Sequence, residues 1–410
     1  MTHETASHST ANRAPTTGSA ALDVRAAHSL ETATPEALGD LIDQLARPGR
    51  PAPRLLLMFA SSRHDRYTLS RGVKAAFPDT LVLGCTTMGE VGIAGWTTGG
   101  ISALALGGDQ LRVAAAVIDD LHSLHIDRTR HVMEAACGAV GTTPGAASAD
   151  GCFGITLTDG LSGMEELLMA HMAAEAIGLP SVGGSAGDDY DMRETSIFHE
   201  DRALPGAAAL LIVRWPAGFQ VFHSHHYHPT DRRVVVTEAD PLRRRVRELD
   251  GWPAVRVFAD ILEVPESRLR ADPFGQLHRW RRSLAFLVGG QHTMRSVMSI
   301  DGDELVLGGA VDEGVVLTVM QAGDMLADSR EAMAHVRGML GRDIGALIQF
   351  NCGGRFIEAR VSGIDRQVAD ATIIAPTAGF HTYGEQFGFM QVNETLTGVA
   401  LARGAEGPVR

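Results

Sequence analysis

Residues 54–84 read RLLLMFASSRHDRYTLSRGVKAAFPDTLVLG, and the reading of this stretch decides the fold class. After Arg54 the run to Ala60 is continuously apolar and bounded by chain breakers, the pattern of a strand buried on both faces. Residues 67–77 carry apolar side chains at helical spacing, and 80–84 form a second apolar run. Strand, helix and strand within about 30 residues predict a parallel sheet covered by helices.

Working outward, strands are expected at 100–106, 111–117, 153–158, 195–198, 206–214 and 220–224, with a β-branched run at 233–237. Helices are expected at 35–45, 127–140 and 161–177, the last with Ser162 as N-cap and Glu165 and Glu166 in its first turn. The second half predicts strands at 283–288, 294–300, 304–307, 314–320, 346–350, 371–375 and 395–401, and a helix at 324–340. The fold class expected is α/β, or mixed α+β, with two domains of largely buried sheets flanked by helices. A tail and short helix would occupy 1–50, an N-terminal domain 53–247, a second domain 248–392, and a closing strand and tail 393–410. No internal repeat stands out. The first 20 residues are polar without an apolar h-region, so they read as a disordered tail, not a signal peptide.

Composition narrows the function. The 410 residues carry a net charge of -13, which argues against nucleic acid or an anionic membrane as partner. Lys74 is the one lysine among 36 basic residues, so Schiff-base chemistry would rest on it alone, and no GK[ST] phosphate loop occurs. The four cysteines are widely spaced without C-x-x-C, which points away from thiolate zinc or disulfides and towards a reduced cytoplasm. No apolar run approaches the roughly 18 residues of a membrane span. Segment 241–282 is dense in arginine with acids interleaved, the composition of a solvated helical face.

Five stretches could carry chemistry. Residues 222–230 read FHSHHYHPT, with four imidazoles in six residues; imidazole ligates zinc, copper, nickel and haem iron. On a strand, His223 and His225 would share one face and His226 and His228 the other, so four cannot converge on one metal without a bend. A polar histidine cluster is the plainer reading. The glycine-rich loop at 180–190 (PSVGGSAGDDY) places Gly184, Ser185 and Asp188 in a close turn lining a cavity; Asp188 and Asp189 oppose a phosphate nest. Cys85 and Thr86 leave the carboxyl end of a buried strand, where ligands of open α/β sheets sit. Arg355, after the strand at 346–350, would lie at a sheet edge and could pair with a ligand carboxylate or a structural acid. Residues 379–385 combine His381, Tyr383 and Glu385 across a glycine, so not on a regular helix. Asp119/Asp120 and Glu165/Glu166 look like exposed or helix-start charge, and no G-x-S-x-G elbow occurs.

Taken together these motifs resemble the FIST family, bacterial intracellular sensory proteins with a FIST N-terminal and a FIST C-terminal domain. The resemblance spans residues 53–402. It rests on 55–60, GCTTMGE at 84–90, Gly95, DGLS-x-x-EE at 159–166 and GGSAGDD at 183–189. It continues through ELDGWPA at 248–254, F-x-C-x-GR at 350–355, YGE at 383–385 and N-x-T at 393–395. Residues 183–189, 226–230 and 235–248 are similar to the nitric-oxide-sensing branch, the NosP type. That resemblance implies haem b and regulation of a separate histidine kinase or of a diguanylate cyclase or phosphodiesterase. His226, inside the branch-like motif, is the first candidate for the iron ligand and His381 the second. The alternative it leaves open is a haem-free sensor of amino acids or other small carboxylates, with Cys85, Thr86, Gly184, Ser185, Asp188, Arg355, Tyr383 and Glu385 as pocket candidates. A cysteine- or metal-dependent enzyme is the third reading; none of the motifs has catalytic acid–base pairing. The expected protein is therefore cytoplasmic, non-catalytic, and without nucleic-acid or membrane partners.

Overall fold

A computed structural model describes residues 21–47, 49–271 and 281–404. The tail expected at 1–20 lies outside the described residues. Three copies of one chain path build the core. The first runs β1 (Asp23–Ser29), α1 (Thr34–Leu45), β2 (Leu55–Ser61), α2 (Arg66–Ala76), β3 (Leu81–Thr87), a hairpin of β4 (Glu90–Gly92) and β5 (Gly95–Thr97), then β6 (Ile101–Gly107). The second runs β7 (Arg112–Ile118), α3 (Ile126–Ala139), β8 (Cys152–Thr158), α4 (Glu165–Glu175), β9 (Ser181–Ser185), the hairpin β10 (Ile197–His199) and β11 (Arg202–Leu204), then β12 (Ala208–Arg214). The third opens with β13 (Phe219–Ser224) and is interrupted by an inserted sheet of eight strands. These are β14 (Tyr227–Asp240), β15 (Arg245–Leu249), β16 (Trp252–Pro253), β17 (Arg282–Val288), β18 (Gln291–Arg295), β19 (Val297–Asp301), β20 (Glu304–Leu307) and β21 (Val316–Ala322). Helices α5 (Ala254–Leu262) and α6 (Glu266–Ala271) belong to the insertion. The third copy resumes with α7 (Met325–Leu340), β22 (Ile344–Cys352), α8 (Gly353–Val361), α9 (Asp365–Thr372), β23 (Thr377–Thr382), the hairpin β24 (Glu385–Phe387) and β25 (Met390–Val392), and β26 (Leu396–Ala402).

Each copy forms a sheet in the order first, last, second, third strand: β1-β6-β2-β3, β7-β12-β8-β9 and β13-β26-β22-β23. The second and third strands of each are parallel. Each copy's hairpin then crosses to a neighbouring sheet: β4 pairs with β23, β10 with β3, and β24 with β9. The repeat is visible in structure and not in sequence because only the path and burial are shared. One local constraint does recur. Gly84, Gly183 and Gly379 face Met58, Thr156 and Gln349 in register, and a Cβ at each would lie 1.7, 2.1 and 1.9 Å from the facing carbonyl oxygen.

Both faces of the sheets are buried, which is why 55–60 is apolar at every position. Leu55, Leu57 and Phe59 point into the central core shared by all three sheets, with Phe350 and Phe380; Leu56, Met58 and Ala60 point outwards onto α1 and α2. The inserted sheet has an apolar core of its own, from Val234 and Val246 to Leu317 and Val319.

Several expectations change. Residues 23–29, within the stretch assigned to tail and helix, form a sheet strand. The boundary expected near 247 falls inside β15, and strands from both expected halves share sheets. Helix α4 starts at Glu165 with no side-chain cap; Ser162 Oγ instead accepts from Met164 N at 3.3 Å. Residues 181–185 of the supposed glycine loop are strand β9, and 371–375 end helix α9, with the strand following at Thr377–Thr382. In the arginine-dense segment, 245–249 and 252–253 are strand and 254–262 and 266–271 helix, and Arg245 and Arg247 pair with acids from outside it, Glu238, Asp301 and Glu304; residues 272–280 lie outside the described residues. Among the described residues no helix is long and apolar enough to cross a membrane.

The facing carbonyls make a sharp test. Gly84→Ala should cost about 3 kcal/mol or more in denaturant unfolding, since rigid backbone cannot yield. Gly138→Ala on the open side of α3 should be neutral or stabilise by about 0.5–1 kcal/mol.

Candidate functional site

The third strands end together, and their carboxyl ends close a ring of backbone bonds. Gly187 N donates to Thr86 O (3.0 Å), Tyr383 N to Ser185 O (3.1 Å) and Met88 N to His381 O (3.1 Å). In two copies the next turn is Thr-x-x-Glu: Thr87 donates to Glu90 (2.7 Å) and Thr382 to Glu385. Both glutamates are fully buried, and burial pushes each up to about 7 against the hydroxyl bonds that oppose it. In the second copy, Ile197 occupies the position of Glu90 and Glu385, so 188–195 is an added excursion. Asp189, Tyr190 and Met192 take left-handed backbone there. Asp188 holds the excursion, accepting from the amides of Met192, Arg193 and Glu194 and from the Tyr383 hydroxyl. Asp189 ties it to Ser61 and Ser62.

A second buried polar group lies where the insertion leaves the core. Arg355, in the first turn of α8, is not at a sheet edge but 2% exposed. Its partners are neutral: Nη1 donates to His226 Nδ1 (3.0 Å), Nη2 to Ser329 Oγ (3.2 Å) and Nε to Asn351 Oδ1 (3.2 Å). Because Nδ1 accepts, the His226 proton sits on Nε2, which faces Glu358 at 3.1 Å. Burial and then Arg355 hold His226 well below the ordinary histidine range, and burial lifts Glu358 to about 7. Asn351 Nδ2 is 3.0 Å from His381 Nδ1, extending the chain. His381 is fully buried, stacked on Phe356 at 3.9 Å between centroids and edge-on to Trp96.

Two clefts open beside this chain. One, of about 340 Å³, lies between His223, Ser224 and His225 and the α7 face of Asp328, Glu331, Ala332 and His335. The other, of about 440 Å³, is apolar, lined by Ala173, Ala176, Ile177, Leu179, Val221, Phe387 and Phe389. Val221 lines the second and His223 the first; two apart on β13, they share one face of the sheet, and His223 stacks on Phe387 at 5.1 Å. Burial holds His223 and His225 at about 4, with the neighbouring histidine and Arg355 as the next causes respectively, so both are neutral at pH 7. The His225 Nδ1 accepts from Tyr227 N (3.3 Å).

These positions sort the expected site residues. Cys85 is in the central core, its thiol pushed up by burial; Gly184 packs against Phe350 and Phe380. Thr86 accepts from Ser196 N, and Ser185 binds Gln386. Asp188 and Tyr383 meet on the excursion, and Glu385 is consumed by Thr382 and Thr395. Glu165 is buried, bound with Glu166 to Arg244 from the insertion, where helix-start exposure was expected.

A haem iron does not fit either expected histidine. Both ring nitrogens of His226 are engaged; His381 Nε2 has no hydrogen-bond partner, but its ring is fully buried against Phe356 and Trp96. His223 lines the polar cleft with no ring-nitrogen bond to the described residues, and stacks on Phe387, which lines the apolar one. Sequence alternation named His223 as a face residue, but only the fold shows which face is open. Among the described residues no three histidine, cysteine or carboxylate side chains form a metal cage.

The FIST N domain matches residues 54–252 and the FIST C domain residues 254–388. No curated protein matches the sequence. Among solved structures, a cyanuric acid hydrolase from A. caulinodans aligns over 48% of this chain and 71% of its own at 11% identity, with a TM-score of 0.29. A chorismatase aligns over 94% of this chain and 100% of its own at 8% identity, with a TM-score of 0.35. At these scores the likeness is slight.

Glu385 gives a pH test. Its folded pKa is raised, so the folded state binds the extra proton above the unfolded carboxyl value, and this contribution is lost as pH rises from about 4.5 through 7. Glu385→Gln should flatten the fall in wild-type stability between pH 5 and 8, measured by urea unfolding at each pH; an unchanged slope contradicts the assignment.

Proposed function

The chain belongs to the FIST family of small-ligand sensory domains, and we propose that its ligand is haem seated across the two clefts, with His223 as the iron ligand. The observation that supports this reading is the setting of one imidazole. His223 is neutral, its ring nitrogens make no bond to the described residues, and it lines the polar cleft while stacking on Phe387 of the apolar one. Val221, Phe387 and Ile177 would cover the apolar face of such a ligand; His225 and His335 line the polar cleft together with Asp328 and Glu331, so the ligand's carboxylates would have to lie on the imidazoles and turn away from the two acids. When bound, ferrous haem would supply a coordination position for nitric oxide. The chain's own part is to keep an imidazole deprotonated, to shield it from water with Phe387, and to report occupancy to a separate histidine kinase or cyclic-di-GMP enzyme.

A second reading has its own observation. Arg355 is a buried cation whose direct partners are all neutral, and it raises the potential behind His225, so a small carboxylate would be held on the His225 side of the polar cleft, away from Asp328 and Glu331.

Hemin titration followed by absorption separates the two. His223→Ala should weaken hemin binding at least 10-fold, whereas His226→Gln should leave it within about threefold. Unaltered binding in His223→Ala, or a broad free-hemin band in the wild type, overturns the haem reading. Melting shifts with an amino-acid panel would then favour the carboxylate.

A further inference from the structure

The inserted sheet of residues 227–322 joins the core by two short connections only, His225-His226 on entry and Gly323-Asp324 on return. The two touch: Gly323 N donates to His226 O at 2.7 Å, and a Cβ on Gly323 would lie 2.4 Å from the His228 ring. His226 is pinned to α8 through Arg355 and Glu358, and Arg355 also holds Ser329 of α7. Away from this crossing the described bonds between insertion and core are polar. Arg244 reaches Glu165 (2.5 Å) and Glu166 (2.7 Å), and Ala310 N donates to Glu166 (2.8 Å). The Arg295 guanidinium, 5% exposed, donates to Gln391 O (3.0 Å), and Asn393 Nδ2 to Gly308 O (3.3 Å). An insertion with its own apolar core, two adjacent connections and a polar interface is built to move as a unit.

We infer that His226 and Gly323 form a hinge, that Arg244 with Glu165 and Glu166 forms its latch, and that a ligand in the histidine cleft sets the hinge angle. The coupling rests on the ligand reading above. Its geometric basis is that the cleft is bounded by both arms of the hinge. His223, Ser224 and His225 immediately precede the entry connection; Asp328, Glu331 and His335 follow the return on α7. A ligand gripping both walls fixes their separation, and Ser329, beside Asp328, passes the change to Arg355 and so to the hinge pin. The signal is then the attitude of the inserted sheet, read by the partner.

Amide exchange on the full chain tests this in two independent arms. Without ligand, Arg244→Gln should speed exchange of the Ala310 amide at least 10-fold while β17, β21 and β22 stay as protected as in the wild type. No change at Ala310, or loss of protection throughout the inserted sheet, overturns the latch. With hemin, the wild type should change exchange at 308–310, which lies outside both clefts, by at least fivefold. His226→Gln should keep hemin affinity and lose that response. Hemin bound with 308–310 unaltered overturns the coupling. Hemin unbound, with the Arg244→Gln arm as expected, overturns the ligand and leaves the hinge standing.

Discussion

The Arg355 guanidinium is the interaction on which the site depends. A charge taken out of water costs several kcal/mol even after relaxation, so each of its three nitrogens needs an acceptor. Arg355 finds three, on three different elements: His226 at the root of the insertion, Ser329 on α7 and Asn351 on β22. That single requirement fixes the His226 tautomer, removes His226 from ligand chemistry and sets α7 opposite β13. Replacing the guanidinium with an apolar side chain would leave those partners unpaired, so its effect extends well beyond the loss of one charge.

The core around it is an approximate threefold arrangement that departs from regularity at two places. One is the excursion 188–195, where three non-glycine residues hold left-handed backbone and Asp188 and Asp189 reach into both other copies. The other is the insertion within the third copy. The excursion carries the strained backbone, while the buried arginine and both clefts lie on elements of the second and third copies themselves, the arginine and the polar cleft beside the point where the insertion leaves the core.

Much of the core was legible in the sequence because strands buried on both faces are apolar without alternation, as at 55–60, 153–158 and 396–402. The glycine strand 181–185 was hidden: Gly183 is there because a facing carbonyl leaves no room, and the same residue type also signals a loop. Helices α8 and α9 escaped because α8 starts on two glycines with no side-chain cap. For the site, the sequence marked the right segment, 222–230, and the wrong imidazole. Alternation separates His223 from His226, but the engagement of the His226 ring, which leaves the half-buried His223 as the free imidazole, follows from Arg355, 129 positions away. No local pattern records that pairing. The threefold path was illegible for the same reason, since strand order is a long-range property.

The sensory reading therefore reduces to a geometric claim: the working imidazole is the one the buried arginine does not hold. The iron anomalous map of crystals grown with hemin addresses it most directly. The account requires one iron peak in the cleft between β13 and α7, within coordination distance of the His223 ring. A peak beside His226 or His381, or hemin bound elsewhere on the surface, would contradict it.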